Sequence, residues 1–97
     1  MGVAIHIPGP LRQFADGRSE VALPARAATV RDALDQLGSL YPGIRDRLLT
    51  EQGALREHIT IFVGNEDIRY TGGLLTALPA GAVITIVPAI SGGRSLR

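Results

Sequence analysis

Two histidines (His6 and His58), the adjacent acids Glu66 and Asp67, and the glycine pairs Gly72-Gly73 and Gly92-Gly93 are the residues whose types could do chemistry. Histidine can ligate a metal or move a proton. His6 and His58 are far apart in sequence, however, and each reads as lying on the polar side of a strand. Neither has a ligand partner at a recognised spacing, so two exposed strand histidines are expected and no metal site. Paired carboxylates can do acid–base work, but neighbours on a strand point to opposite faces, and Glu66 and Asp67 read better as flanking a turn. Gly72-Gly73 is not followed by Lys-Ser/Thr and is not set as G-x-G-x-x-G, so it reads as a turn and not a phosphate loop. The serines and threonines lack a His-Asp pairing. With no cysteine there is no thiol nucleophile, thiolate metal site or disulfide. As a stand-alone enzyme the sequence is poor. What is left is Ala89-Ile90-Ser91-Gly92-Gly93 followed by Arg94-Ser95-Leu96-Arg97. On composition alone, a glycine pair near a terminus is a flexible end.

The chain is 97 residues long, one domain's worth. Folding at this size hides roughly 65% of the unfolded surface, enough for one modest core. Apolar residues are 45% and charged residues 20%, the balance of a globular protein. No apolar run approaches the ~20 residues of a membrane span. The opening MGVAIHIPGP lacks the basic stretch and apolar core of a secretory signal. A cytoplasmic protein that does not bind membranes is expected. A net charge of +1 is too balanced for an electrostatic nucleic-acid binder. All ten cations are arginine, so there is no Schiff-base or P-loop lysine and no side-chain amine for isopeptide attachment.

Periodicity supplies the elements. Val3, Ile5 and Ile7 alternate with Ala4 and His6 as a half-buried strand, stopped by Pro8-Gly9-Pro10. After an irregular connection with a turn signal at Asp16-Gly17, residues 20–23 alternate again, completing a hairpin. Thr29 is a good N-cap, and Asp32 three residues on makes a weak capping box. Val30, Ala33, Leu34, Leu37 and Leu40 or Tyr41 form one helical stripe, ended by Pro42-Gly43. Residues 44–49 read as a short helical turn and 50–57 as a loop. Ile59, Ile61 and Val63 alternate with His58, Thr60 and Phe62 in a second strong strand ended by Gly64-Asn65. Residues 66–70 read as a short edge strand, and 74–78 as a small segment between turns. Residues 82–88 form the most apolar strand, with Ile84 and Ile86 on one face. The order predicts an α+β domain over residues 1–88, a mixed sheet of about five strands with one main helix packed across it. A right-handed crossover places the last strand beside the first at the sheet centre. Residues 89–97 are a flexible tail.

VAIHIPGPLR (3–12), IFVGNEDIRYTGGL (61–74) and LPAGAVITIVPAISGG (78–93) stand out as sequences. These three stretches resemble the ThiS/MoaD family of ubiquitin-like sulfur-carrier proteins, and within it the CysO-type carriers of cysteine biosynthesis. The resemblance covers residues 1–93, and its most specific piece is Gly-Gly a few residues beyond the last strand. It implies a β-grasp fold and a protein co-substrate rather than an enzyme. It implies that a ubiquitin-activating-type adenylyltransferase uses ATP and magnesium to adenylate the Gly93 carboxylate. A sulfur donor then converts the adenylate to a thiocarboxylate, and a partner such as a pyridoxal-phosphate cysteine synthase accepts the sulfur. No cofactor is expected on the carrier itself. Glycine has no Cβ, so Gly92-Gly93 can enter a narrow active site and leave the carbonyl open to a nucleophile.

In mature family members Gly-Gly ends the chain, whereas here Arg94 follows and Gly93 carries an amide that cannot be adenylated. Residues 94–97 are read as a native extension cut after Gly93, as in relatives trimmed by a JAMM-type zinc metalloprotease. The other readings are four residues foreign to the natural protein, or a copy locked off. Strand parity turns Thr60 and Phe62, with Thr85 and Val87, away from the helix. Phe62, Thr60 and Val87, together with Ile90 and Ser91 of the tail, are therefore the expected partner contact, with a monomer expected in isolation. Two further functions fit the resemblance: the small subunit of a molybdopterin synthase, and a ubiquitin-like protein modifier.

Overall fold

The structure is a computed structural model that describes residues 2–88. Alternation builds its first hairpin. Val3, Ile5 and Ile7 are buried while His6 is exposed. Strand β1 (Ala4–His6) pairs antiparallel with β2 (Glu20–Ala22), with Ile5 opposite Val21 and His6 opposite Glu20. The connection is more ordered than its sequence suggests: Gly9–Phe14 form a 3-10 helix that buries Leu11. Pro8 and Pro10 supply no amide donors, and the chain closes instead through the Leu11 amide on the Pro8 carbonyl at 3.0 Å. Asp16 and Gly17, both at positive φ, then make the turn.

Helix α1 (Val30–Leu40) starts on a complete capping box. The Thr29 hydroxyl accepts the Asp32 amide at 3.2 Å, and the Asp32 carboxylate accepts the Thr29 amide at 3.3 Å. Val30, Ala33, Leu34 and Leu37 are buried as the stripe requires. Leu40 is exposed, and half-buried Tyr41 packs against the core instead. Pro42 ends α1 and opens α2 (Pro42–Leu48), where its missing amide is no loss. The expected short turn is therefore a seven-residue helix burying Ile44 and Leu48. The two helices approach closely at Gly38, where an added Cβ would lie 2.7 Å from Cδ of Arg45.

Strand β3 (Ile59–Val63) turns through Gly64-Asn65 into β4 (Glu66–Asp67). The edge strand expected over 66–70 lasts only these two residues, and they are paired to β3 rather than merely flanking a turn. The cause is local. The Asp67 carboxylate accepts the Arg69 amide at 2.9 Å and caps a 3-10 turn, Ile68–Tyr70, which competes with continued ladder pairing. A second 3-10 turn, Gly73–Leu75, leads to residues that hold the start of α1. The Thr76 carbonyl accepts the Val30 amide, one of the donors a helix start leaves unpaired.

Strand β5 (Val83–Pro88) lies at the sheet centre, parallel to β1 and antiparallel to β3, in the order β2-β1-β5-β3-β4. The last strand is beside the first, as expected. Ile5, Ile61, Ile84 and Ile86 of the sheet share one buried cluster with Val30, Leu34 and Leu37 of α1. The arrangement is a β-grasp.

Candidate functional site

Because β5 is held on both sides, its end is a fixed point from which the tail departs. Ile84 and Ile86 face the core, while Val83 and Val87 face outward and are exposed. On β3, Ile59 and Ile61 are buried, and Thr60 and Phe62 are half-buried on the opposite face. The register sets Thr60 against Val87 and Phe62 against Thr85. Directly paired residues bring their Cβ atoms within ~5 Å, so Phe62, Thr60 and Val87 share one patch, as parity predicts. The Phe62 row continues through Thr85 to His6 and Glu20 on one side and to Asp67 on the other. Phe62 is half-covered rather than fully displayed.

Polar groups frame this face. His6 Nε2 lies 3.6 Å from Glu20 Oε1. The Arg69 guanidinium donates to Asp67 at 2.8 Å, and with the Arg69 amide it holds the Asp67 carboxyl below the usual carboxylate range. The same hydrogen bond raises Arg69 above its usual value. His58 lies in the turn before β3 and not on a strand, and it is exposed. Among the described residues no group of three or more His, Asp or Glu side chains could hold a metal ion.

At the C-terminal end of β5 the chain borders a groove of about 570 Å³. Pro88 forms part of its wall, with Phe14 from the 3-10 helix, Arg47 from α2, and Arg56 and His58 from the segment before β3. The Arg47 guanidinium lies 4.4 Å from the centroid of the Phe14 ring, a cation–π contact. Sequence reasoning missed this group. Its members come from four separate segments, and no spacing rule joins them. Ile90, Ser91, Gly92 and Gly93 lie outside the described residues.

A family profile described as the ThiS family matches residues 5–93. The chain belongs to the ThiS family. The match ends at Gly93 and leaves out Arg94–Arg97. Among curated proteins, the sulfur carrier protein CysO of Mycobacterium tuberculosis is 37% identical over 95 residues, covering 96% of this chain and 100% of the relative. Among solved structures, the Amycolatopsis orientalis BexX/CysO complex contains a chain with a TM-score of 0.83 and 36% identity, covering 91% of this chain and 96% of that one. SAMP1 from Haloferax volcanii superposes with a TM-score of 0.81 at 29% identity, covering 96% of this chain and 100% of its own. These likenesses agree with the β-grasp topology. The BexX complex shows a ThiS-family relative bound to another protein.

Proposed function

We propose that this chain is a sulfur carrier whose reactive group is the Gly93 carboxylate, freed by removal of residues 94–97. The supporting observation is the family match, which runs through the glycine pair and stops there. The fold supports the same reading. The expected partner face lies on strands paired within the sheet, and the five residues after Pro88 span at most about 17 Å, enough to enter another enzyme's pocket from a docked body.

A metalloprotease of the JAMM type hydrolyses the Gly93–Arg94 amide. An adenylyltransferase, using ATP with magnesium, lets the freed carboxylate attack the α-phosphorus. Pyrophosphate leaves and an acyl-adenylate remains. Sulfide, or a sulfur donor equivalent to it, attacks the acyl carbon and expels AMP, leaving a thiocarboxylate. The thiocarboxylate sulfur then attacks an electrophilic carbon of a substrate held by an acceptor enzyme, a pyridoxal-phosphate cysteine synthase in this reading, displacing that substrate's leaving group. Water hydrolyses the resulting acyl linkage, so the sulfur stays with the product and the carrier returns with a carboxylate. The chain is thus a co-substrate and holds no cofactor. The likeness to SAMP1 favours one other reading, a protein modifier joined through Gly93 to amines of other proteins. With no lysine, such a modifier cannot build chains through its own side chains.

The test is pyrophosphate exchange with a ubiquitin-activating-type adenylyltransferase. The chain trimmed to residues 1–93 is expected to support exchange and the full chain is not. Equal exchange by both, or by neither with any such enzyme, contradicts the reading.

A further inference from the structure

The groove at the end of β5 has a feature that the sulfur-carrier chemistry leaves unused. Arg47 and Arg56 both line it, and both guanidinium groups are held in place. Arg56 donates its Nε–H to the Asp46 carbonyl at 2.8 Å, which leaves its two terminal amino groups for another acceptor. Arg47 is seated on Phe14. Among the described residues neither has a carboxylate within 4.0 Å; the arginine–carboxylate pairs found there are Arg45–Asp35 and Arg69–Asp67. Asp46 also lines the groove, and its carboxylate pairs with neither arginine among the described residues. Guanidinium groups fixed in orientation and lacking counter-ions suit carboxylates, which they bind in a forked, two-bond geometry.

Position restricts the occupant to an enzyme that takes up the chain end. Pro88, the residue from which the tail departs, is part of the groove wall. Any enzyme that takes Gly93 into its pocket has to bring its surface against this end of the sheet. We propose that Arg47 and Arg56 dock an acidic segment of the adenylyltransferase, at least two carboxylates beside the mouth of its active site, and so align the tail with that mouth. The chain's own extension is a poor occupant, because Arg94 and Arg97 carry the same sign of charge as the groove. This inference rests on the proposed function, and the experiment separates the two.

Among the described residues every buried core residue lies between Val3 and Ile86, and trimming to residues 1–93 removes none of them. The trimmed chain and its Arg47→Glu/Arg56→Glu variant are compared in pyrophosphate exchange, with a thermal melt confirming that the variant is folded. The expected result is a KM for the carrier raised about tenfold or more, the effect of losing roughly 1.4 kcal/mol of docking energy, with kcat unchanged. The wild-type KM is expected to rise with salt and the variant's much less, because the contact is between charges. Arg47→Lys/Arg56→Lys, which keeps charge but not the fork, is expected to recover only part of the loss. An unchanged KM, or a fall in kcat alone, overturns the proposal while wild-type exchange still upholds the carrier reading. Shifts of the Arg47 and Arg56 side-chain NMR signals on trimming, without enzyme, would assign the groove to the chain's own carboxylate and also overturn it. So would a second copy bound there, seen as a dimer by sedimentation that the Glu variant dissolves.

Discussion

On β3, Ile61 turns into the core and Phe62 away from it, so substituting these neighbours tests different things. Phe62→Asp places a charge in the outer patch and leaves the buried cluster intact. It is expected to abolish adenylation of the trimmed chain while the thermal melt stays cooperative, at a cost of about 1 kcal/mol for aspartate on a strand. Unchanged turnover would remove the outer face from the docking surface. Asp67 contributes to the pH dependence of stability. Its pKa is lowered by Arg69, so the folded state binds its proton less readily than the unfolded chain. The stability it contributes is present above the ordinary carboxylate value of about 4 and is lost as pH falls through the lower folded value. Stability curves of the wild type and Asp67→Asn are expected to differ at neutral pH and to converge in acid, whereas a constant gap would show that the carboxylate's charge is not involved. Phe62, Thr60 and Val87 were legible in the sequence because parity along a strand needs no tertiary information. The Arg47–Phe14 contact was not, because α2 brings it to the Gly9–Phe14 helix only in the folded molecule.

Among the elements, the helices carry the most specific packing. Alanine is normally favoured over glycine inside a helix by about 1 kcal/mol. At Gly38, however, a Cβ would stand 2.7 Å from Cδ and 3.0 Å from Cβ of Arg45, and Cβ cannot swing aside without moving α2. Gly38→Ala is therefore expected to lower stability by about 1 kcal/mol, read by chemical denaturation. A gain would mean that α2 yields easily. Helix α1 was legible because its cap and its 3.6-residue stripe agree. The three 3-10 segments were not, since one or two turns of i to i+3 bonding leave too short a pattern to register. Edge strand β4 was overestimated for a related reason. Ile68 and Tyr70 favour strands and alternate with Arg69, and only the hydrogen bond from the Arg69 amide to the Asp67 side chain shows where the ladder stops.

Across the whole molecule, the sheet order fixes the relation between body and tail. β5 lies between β1 and β3, so its end at Val87 and Pro88 is supported on both sides and stands beside both the outer patch and the arginine groove. That central placement was legible from the element order and crossover handedness together. The identity of the surfaces flanking the exit was only half legible. In the proposed function the body exists to present Gly93 for loading with sulfur. The most direct measurement is intact-protein mass spectrometry of the trimmed chain after incubation with ATP, magnesium, sulfide and an activating adenylyltransferase. The account predicts a mass gain equal to the exchange of one oxygen for sulfur, located at Gly93 and absent without ATP. A terminus that stays a carboxylate under conditions where the same enzyme loads its own carrier would contradict it.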